Sequence, residues 1–171
     1  MASFKGNKLY VHGSGLKTGI LITNLGTPDE PTKSSLKTYL KQFLSDQRVI
    51  ETPKAIWWPI LNGIVLNTRP AKSAKNYKSV WTDEGSPLLI YSERLKEKLD
   101  RSSPDNLCFE LGMRYGNPSI KSKIKKLQES GCENLVILPL YPQYSAATTA
   151  TVCDEVYRTL MNMRWQPSLK I

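Results

Sequence analysis

The chain is 171 residues long and carries 24 Lys and Arg against 15 Asp and Glu, a formal net charge of +9. That length fits one domain with a substantial core. No run of roughly eighteen apolar residues occurs, which argues against a spanning helix, and residues 1–10 lack the apolar core of a signal peptide, so a cytoplasmic protein is the expectation. Cys108, Cys132 and Cys153 are odd in number and widely spaced, which supports neither a disulfide framework nor a zinc site; they read as core or helix-packing thiols. With no arginine-rich arm, zinc finger pattern or aromatic-basic RNA motif, nucleic acid is not expected as a partner. The basic balance then points to an acidic membrane surface or a solvated exterior.

Residues 1–16 read as a flexible leader. They hold the only histidine, His12, and a Gly13-Ser14-Gly15 triplet that precedes the first strand, where phosphate-binding glycines would have to follow it. Residues 19–24 form the first predicted strand. A Gly26-Thr27-Pro28 turn leads into a helix whose apolar face, Leu36, Tyr39, Leu40, Phe43 and Leu44, has amphipathic spacing. Residues 49–66 are rich in large apolar groups but interrupted by Pro53, Pro59 and Gly63, which forbids one uninterrupted helix without a kink. The expectation is an apolar lip insertion at about residues 49–68, over a cleft, with Trp57 and Trp58 suited to a lipid interface. Lys41, Arg48, Lys54 and Arg69 nearby suit anionic headgroups. The alternative is a loop folded back onto the core, since an exposed apolar patch of this size demands an explanation.

A second helix is predicted over 71–80 and a third from Ser86-Pro87, where serine can cap and proline suits the first turn; Leu88, Leu95 and Leu99 would be its buried stripe. Residues 107–113 read as the second strand. Residues 119–130 read as a helix in which Lys121, Lys123, Lys125 and Lys126 point outward and Ile120, Ile124 and Leu127 inward, with Pro118 and Gly131 as its punctuation. A third strand at 134–140, a helix at 147–163 and the start of a fourth strand at 169–171 complete the pattern. This alternation implies an α/β fold, a mainly parallel sheet of about four strands flanked by helices.

The loop Pro139-Leu140-Tyr141-Pro142-Gln143-Tyr144-Ser145-Ala146-Ala147-Thr148-Thr149 joins the third strand to the last helix. Such loops line the ligand-binding rim of open α/β sheets, and this one supplies hydroxyls and two tyrosines. In order along the chain, Thr18-Gly-Ile-Leu-Ile-Thr-Asn-Leu-Gly-Thr-Pro28, Gly85-Ser-Pro-Leu88, Gly112-Met-Arg-Tyr-Gly-Asn-Pro118 and Leu140-Tyr-Pro-Gln-Tyr-Ser145 match ferrochelatases. From about Lys17 to Ile171 the chain resembles the amino-terminal half of a bacterial ferrochelatase, the enzyme that inserts Fe²⁺ into protoporphyrin IX to make protoheme.

The resemblance implies one of two similar α/β lobes enclosing a porphyrin cleft. The family's metal-inserting histidine and its partner glutamate belong to the other, carboxy-terminal lobe, so no catalytic residue is expected in this half and the fragment alone is expected to be inactive. His12 lies outside every matching motif. By position in the family pattern, Leu25 would abut the ring, Arg69 and Tyr77 would lie at the propionate end, and Ser86 would offer a hydroxyl there. Arginine suits a propionate because its planar fork pairs bidentately with a carboxylate. Arg114 and Tyr115 would line the inner end of the cleft, on the side from which metal arrives. The apolar lip with Trp57 and the loop carrying Tyr141, Tyr144 and Ser145 would complete the grip. The resemblance also implies a lip facing the membrane that delivers substrate, hence a peripheral location at the inner membrane face. No resident cofactor is expected: Fe²⁺ and protoporphyrin IX are substrates, and Ala146 stands where animal enzymes place a cysteine ligand to an iron–sulfur cluster, so no cluster is expected.

Some positions depart from the family. Arg69-Pro-Ala-Lys has its proline one residue early, and Ala147 removes a hydroxyl that relatives offer. Two other readings remain at this level: a non-catalytic porphyrin- or membrane-surface-binding module, and a half-size chelatase that pairs two copies, which would need a histidine pair this sequence lacks.

Overall fold

Parallel strands buried on both faces organise the chain. The computed structural model describes residues 17–171; the predicted leader, with His12 and the glycine triplet, lies outside the described residues. Strand β1 (Lys17–Thr27) is followed by α1 (Lys33–Leu44), α2 (Lys54–Ile60), a π-helical turn (Leu61–Val65), α3 (Leu66–Val80) and α4 (Pro87–Ser102). Then come β2 (Leu107–Gly116), α5 (Ile120–Glu129), β3 (Cys132–Pro139), a second π turn (Ala146–Ala150), α6 (Thr151–Leu160) and β4 (Ser168–Lys170). The sheet order is β2-β1-β3-β4, and every pairing is parallel, as the α/β expectation required.

Because side chains alternate along a strand, each face has its own core. On one face Leu21, Leu135 and Ile137 pack against Ile120, Ile124 and Leu127 of α5 and Val152, Val156 and Leu160 of α6. On the other, Ile22, Phe109, Leu111 and Met113 meet Leu89 and Leu99 of α4. A third cluster, Leu44, Leu61 and Leu66 with Phe43 and Trp57 against it, joins α1 to the lip.

As the expectation for residues 49–68 required, the lip is not one uninterrupted helix: α2 starts just after Pro53 and a π turn containing Gly63 separates it from α3, while Pro59 and Pro70 lie within helices. A proline in a helix interior costs one backbone bond; here the π turn absorbs the change of register and side chains take up carbonyls around it. Asn62 Nδ2 donates to Trp58 O at 2.8 Å, Asn67 Nδ2 to Gly63 O at 2.9 Å and Thr68 Oγ1 to Ile64 O at 2.9 Å. Burial of Leu61 and Leu66 against α1 then holds the helix.

Expectations about α4 and α5 need correction. In α4 the inward stripe is Leu89, Ser92 and Leu99, whereas Leu88 and Leu95 are partly exposed. Ser86 occupies the predicted N-cap position ahead of Pro87 but makes no capping hydrogen bond. In α5 the four lysines do not all point to solvent: Lys123 and Lys126 converge on Glu110 of β2.

Candidate functional site

The strand order creates a topological switch. The chain leaves β1 for β2 on one side and leaves β3 for β4 on the other, so the loops after β1 and β3 diverge from neighbouring strand ends, where ligands of open α/β sheets bind. Leu140 N–H donates to Thr23 O at 2.8 Å and extends the β1–β3 pairing to the rim. Leu25 emerges half-buried from β1, its backbone N–H bonded to Asn24 Oδ1 at 2.8 Å.

The carboxyl ends of β1 and β2 approach each other because two glycines permit it. Gly26 has φ of 105° and Gly116 φ of 80°; a Cβ on Gly26 would meet Tyr115 O, and one on Gly116 would sit 2.5 Å from Thr27 O. That approach sets Arg114 and Tyr115 beneath α1. Tyr115 is 1% exposed, and its ring meets Phe43 edge-on at 5.2 Å. Its hydroxyl donates to Asp46 Oδ2 at 2.9 Å. Arg114 lies over the Tyr115 ring at 4.4 Å and bonds the same Asp46 oxygen, with Glu155 3.9 Å away.

An aromatic chain connects three of the predicted residues. Trp81 tilts on Tyr77, Tyr77 meets Tyr39 edge-on at 6.4 Å, Tyr39 stacks on Phe43 at 6.2 Å, and Phe43 meets Tyr115. Tyr39 and Phe43, readable in the sequence only as the inward face of α1, are thus the link between Tyr77 and the Arg114-Tyr115 pair. Burial raises the phenols of Tyr39, Tyr77 and Tyr115 above the ordinary tyrosine value, so all are neutral hydrogen-bonding groups near neutral pH.

The other predicted residues are more dispersed. Tyr141 packs against the α5–α6 core; burial pushes it up to about 12 despite the nearby Arg114, and its hydroxyl has no hydrogen-bond partner among the described residues. Tyr144 projects outward at 72% exposed. Ser145 Oγ and Thr148 Oγ1 bond each other at 2.7 Å, so the loop's hydroxyls close on themselves. Arg69 is exposed on α3, and Ser86 is buried.

Trp57 is turned inward: its Nε1 donates to Leu44 O at 2.7 Å, satisfying a carbonyl at the end of α1. Its neighbour Trp58 is the exposed one, at 67%, with Ile56 and Ile64 also exposed.

Two adjoining open grooves of about 310 and 330 Å³ lie beside Arg114, sharing Gln42 and Arg158; Arg48, Lys54 and Asp154 line the second. Of the ten predicted residues, only Arg114 and Tyr115 line them. Their charged walls suit ions and water, not the face of a flat apolar macrocycle. Asp46 and Asp154 were missed by sequence reasoning, and Arg48, read there as a cation for anionic headgroups, is instead ion-paired with Asp154. The only signal was an Asp-x-Arg in a short linker, which is common in turns.

The ferrochelatase family model matches residues 17–171, all of the described chain. The chain belongs to the ferrochelatase family. It is 54% identical over 163 residues to a ferrochelatase of Chromobacterium violaceum, covering 93% of this chain and 45% of that protein. It is 51% identical over 171 residues to one of Thioalkalivibrio sulfidiphilus, covering 98% and 46%, and 55% identical over 156 residues to one of Francisella tularensis subsp. novicida, covering 90% and 46%. The chain thus spans about half the length of the curated ferrochelatases it matches.

Proposed function

We propose that this chain supplies the porphyrin-gripping part of a ferrochelatase, which inserts Fe²⁺ into protoporphyrin IX in the last step of protoheme formation. The observation that carries the reading is the match of the described chain, at about half identity, to ferrochelatases of which it covers 45–46%. The metal-inserting histidine and glutamate would come from the remaining length, and no residue here would act as the base. Metal insertion requires two pyrrole protons to leave and the ring nitrogens to tilt toward the metal; binding energy spent on ring distortion lowers that barrier.

In this reading Leu25, the helical lip and the Tyr141, Tyr144 and Ser145 loop contact the ring. Arg69, Tyr77 and Ser86 serve the propionates, and Arg114 and Tyr115 the inner end. Trp58, being exposed, is better placed than Trp57 to touch a ligand, while Trp57 steadies the lip from behind. A cytoplasmic location with peripheral membrane contact belongs to the same proposal. Among the described residues no helix is long and apolar enough to cross a membrane.

A second reading, a porphyrin- or membrane-surface-binding module without turnover, is favoured by one feature. Residues 31–80 hold nine Lys and Arg but only two carboxylates, Asp46 and Glu51, a net +7 out of the chain's +9. The same stretch exposes Ile56, Trp58 and Ile64. Cations flanking an apolar ridge suit an anionic lipid surface.

A titration with protoporphyrin, followed by tryptophan quenching and then by addition of Fe²⁺ or Zn²⁺, separates the readings. Saturable binding without metalloporphyrin is expected of the chain alone, and turnover after addition of the remaining part of a relative would favour the ferrochelatase reading over the passive module. Metallation by the chain alone would refute the assignment of the base to the other part. Absence of porphyrin binding would remove the grip assigned here.

A further inference from the structure

The linker between α1 and α2 exchanges charges with the sheet scaffold in both directions. It offers an acid, Asp46, to a base at the end of β2, Arg114; two residues later it offers a base, Arg48, to an acid in the first turn of α6, Asp154. Asp46 is the more committed of the two. Its side chain and that of Arg114 are each 11% exposed. Its carboxylate accepts from Arg114, from the Tyr115 hydroxyl and from the Arg48 backbone N–H at 2.9 Å, while its carbonyl accepts from Val49 and Ile50 N–H at 3.1 and 2.9 Å. One residue therefore shapes the turn that follows α1 and holds both residues at the tip of β2. The Arg48 guanidinium grips Asp154 with two nitrogens, and the Asp154 carboxyl lies below the ordinary aspartate value chiefly because of that hydrogen bond.

We propose that Asp46 is a positioning residue and that Asp46–Arg114 and Arg48–Asp154 form a two-point latch, setting the pose of the lip relative to the end of β2 and to α6. Its functional weight rests on the ferrochelatase reading, in which the lip and the Arg114-Tyr115 pair grip opposite parts of one ligand; the latch itself does not. Helix α6 continues directly from the Ala146–Ala150 turn that follows the Tyr141–Ser145 loop, so the second point ties the lip to that loop's own helix. A shift of the lip must break one pair or drag Arg114 and α6 with it.

The latch is tested without ligand by amide hydrogen exchange across residues 54–65 of the full chain. Asp46→Asn is expected to accelerate exchange there by about tenfold, and Arg48→Gln and Asp154→Asn each by several-fold, with the double variant Arg48→Gln/Asp154→Asn no faster than either single one. Raised salt should speed the wild type toward the Arg48→Gln rate, because that pair is partly exposed. Equal exchange in wild type and variants, or losses that simply add in the double variant, would overturn the latch. Porphyrin binding is read separately by tryptophan quenching, where Asp46→Asn should weaken affinity by about tenfold. If wild type binds no porphyrin while the exchange pattern holds, the ferrochelatase role of this part fails and the latch stands. If porphyrin binds equally well to wild type and Asp46→Asn, the positioning role is refuted.

Discussion

Helix α5 and residues 31–80 are both rich in lysine and put it to opposite uses. In α5, Lys123 and Lys126 turn back onto the sheet and hold Glu110 from either side, with Nζ–carboxylate distances of 2.8 and 2.5 Å. Among the described residues, none of the lysines of α1 or α3, nor Arg69, belongs to an ion pair. One set of charges is spent inside the fold, and the other faces outward beside an exposed apolar ridge. Net charge is therefore a poor guide to partners until each cation's neighbour is known, and in this chain the outward excess is concentrated in one α-helical unit.

The core side of that comparison breaks most visibly at a thiol. Burial, aided by its contact with Cys108, pushes the Cys132 thiol well above the ordinary cysteine value. Its alkylation near pH 8 should be at least about tenfold slower than that of an unhindered thiol, since only the thiolate reacts. Iodoacetamide labelling read by peptide mass spectrometry checks this, and rapid labelling of native protein would show that this part of the sheet opens.

Next in size is the Glu110 cluster. Burial alone would raise the Glu110 carboxyl, but the hydrogen bonds and charges of Lys123 and Lys126 outweigh it and hold it below the ordinary value. A carboxylate depressed in the folded state contributes stability above the unfolded pKa, near 4.5, and loses it as pH falls through the lower folded value. Glu110→Gln should cost about 2 kcal/mol at pH 7 in urea unfolding, and the gap between wild type and variant should close as the pH is lowered below about 4. A gap that persists in acid would mean that the contribution is packing and not charge.

The outward-facing lysines of α3, next to the lip, are expected to respond in the opposite sense. Lys72→Gln and Lys75→Gln should leave the urea midpoint unchanged, yet each should reduce partition to vesicles containing anionic lipid by about fivefold at low salt. Neutral vesicles serve as the control, and equal partition to both would sink the electrostatic part of the membrane proposal. The smallest effect separates the adjacent tryptophans. Trp57→Phe loses the bond to Leu44 O and should cost about 1 kcal/mol, whereas Trp58→Phe should leave stability unchanged and alter only the response to porphyrin or lipid.

Much of the fold is legible in the chain because the local patterns agree with it. The Leu36, Tyr39 and Leu44 face of α1 and the Ile120, Ile124 and Leu127 face of α5 follow from periodicity and pack as it implies, while the β1 run and the start of a strand at 169–171, observed as Ser168–Lys170, follow from the strand–helix alternation. Reading fails where a local rule is overridden from a distance. Pro53, Pro59 and Gly63 argued against one uninterrupted helix, and the π turn at Leu61–Val65 does interrupt it, but burial against α1 and the side-chain bonds around that turn keep the flanking segments helical. Leu88 and Leu95 fit a helical stripe as well as Leu89 and Leu99 do, and only the position of α4 over β1 and β2 selects between them.

At the candidate site, the four ordered motifs identify the family from residue identity alone, because glycines, prolines and aromatics at strand ends are constrained by close backbone approach and by turn geometry. The sequence by itself thus determined the α/β class, the strand and helix order and the family. What tertiary structure alone decided is which charges meet. Asp46 and Arg114 are 68 residues apart, and Arg48 and Asp154 are 106 apart. Such pairings depend on the crossovers that bring β2 beside β1 and the first turn of α6 to the α1–α2 linker, and no local spacing encodes them because electrostatic contact follows distance in space, not along the chain.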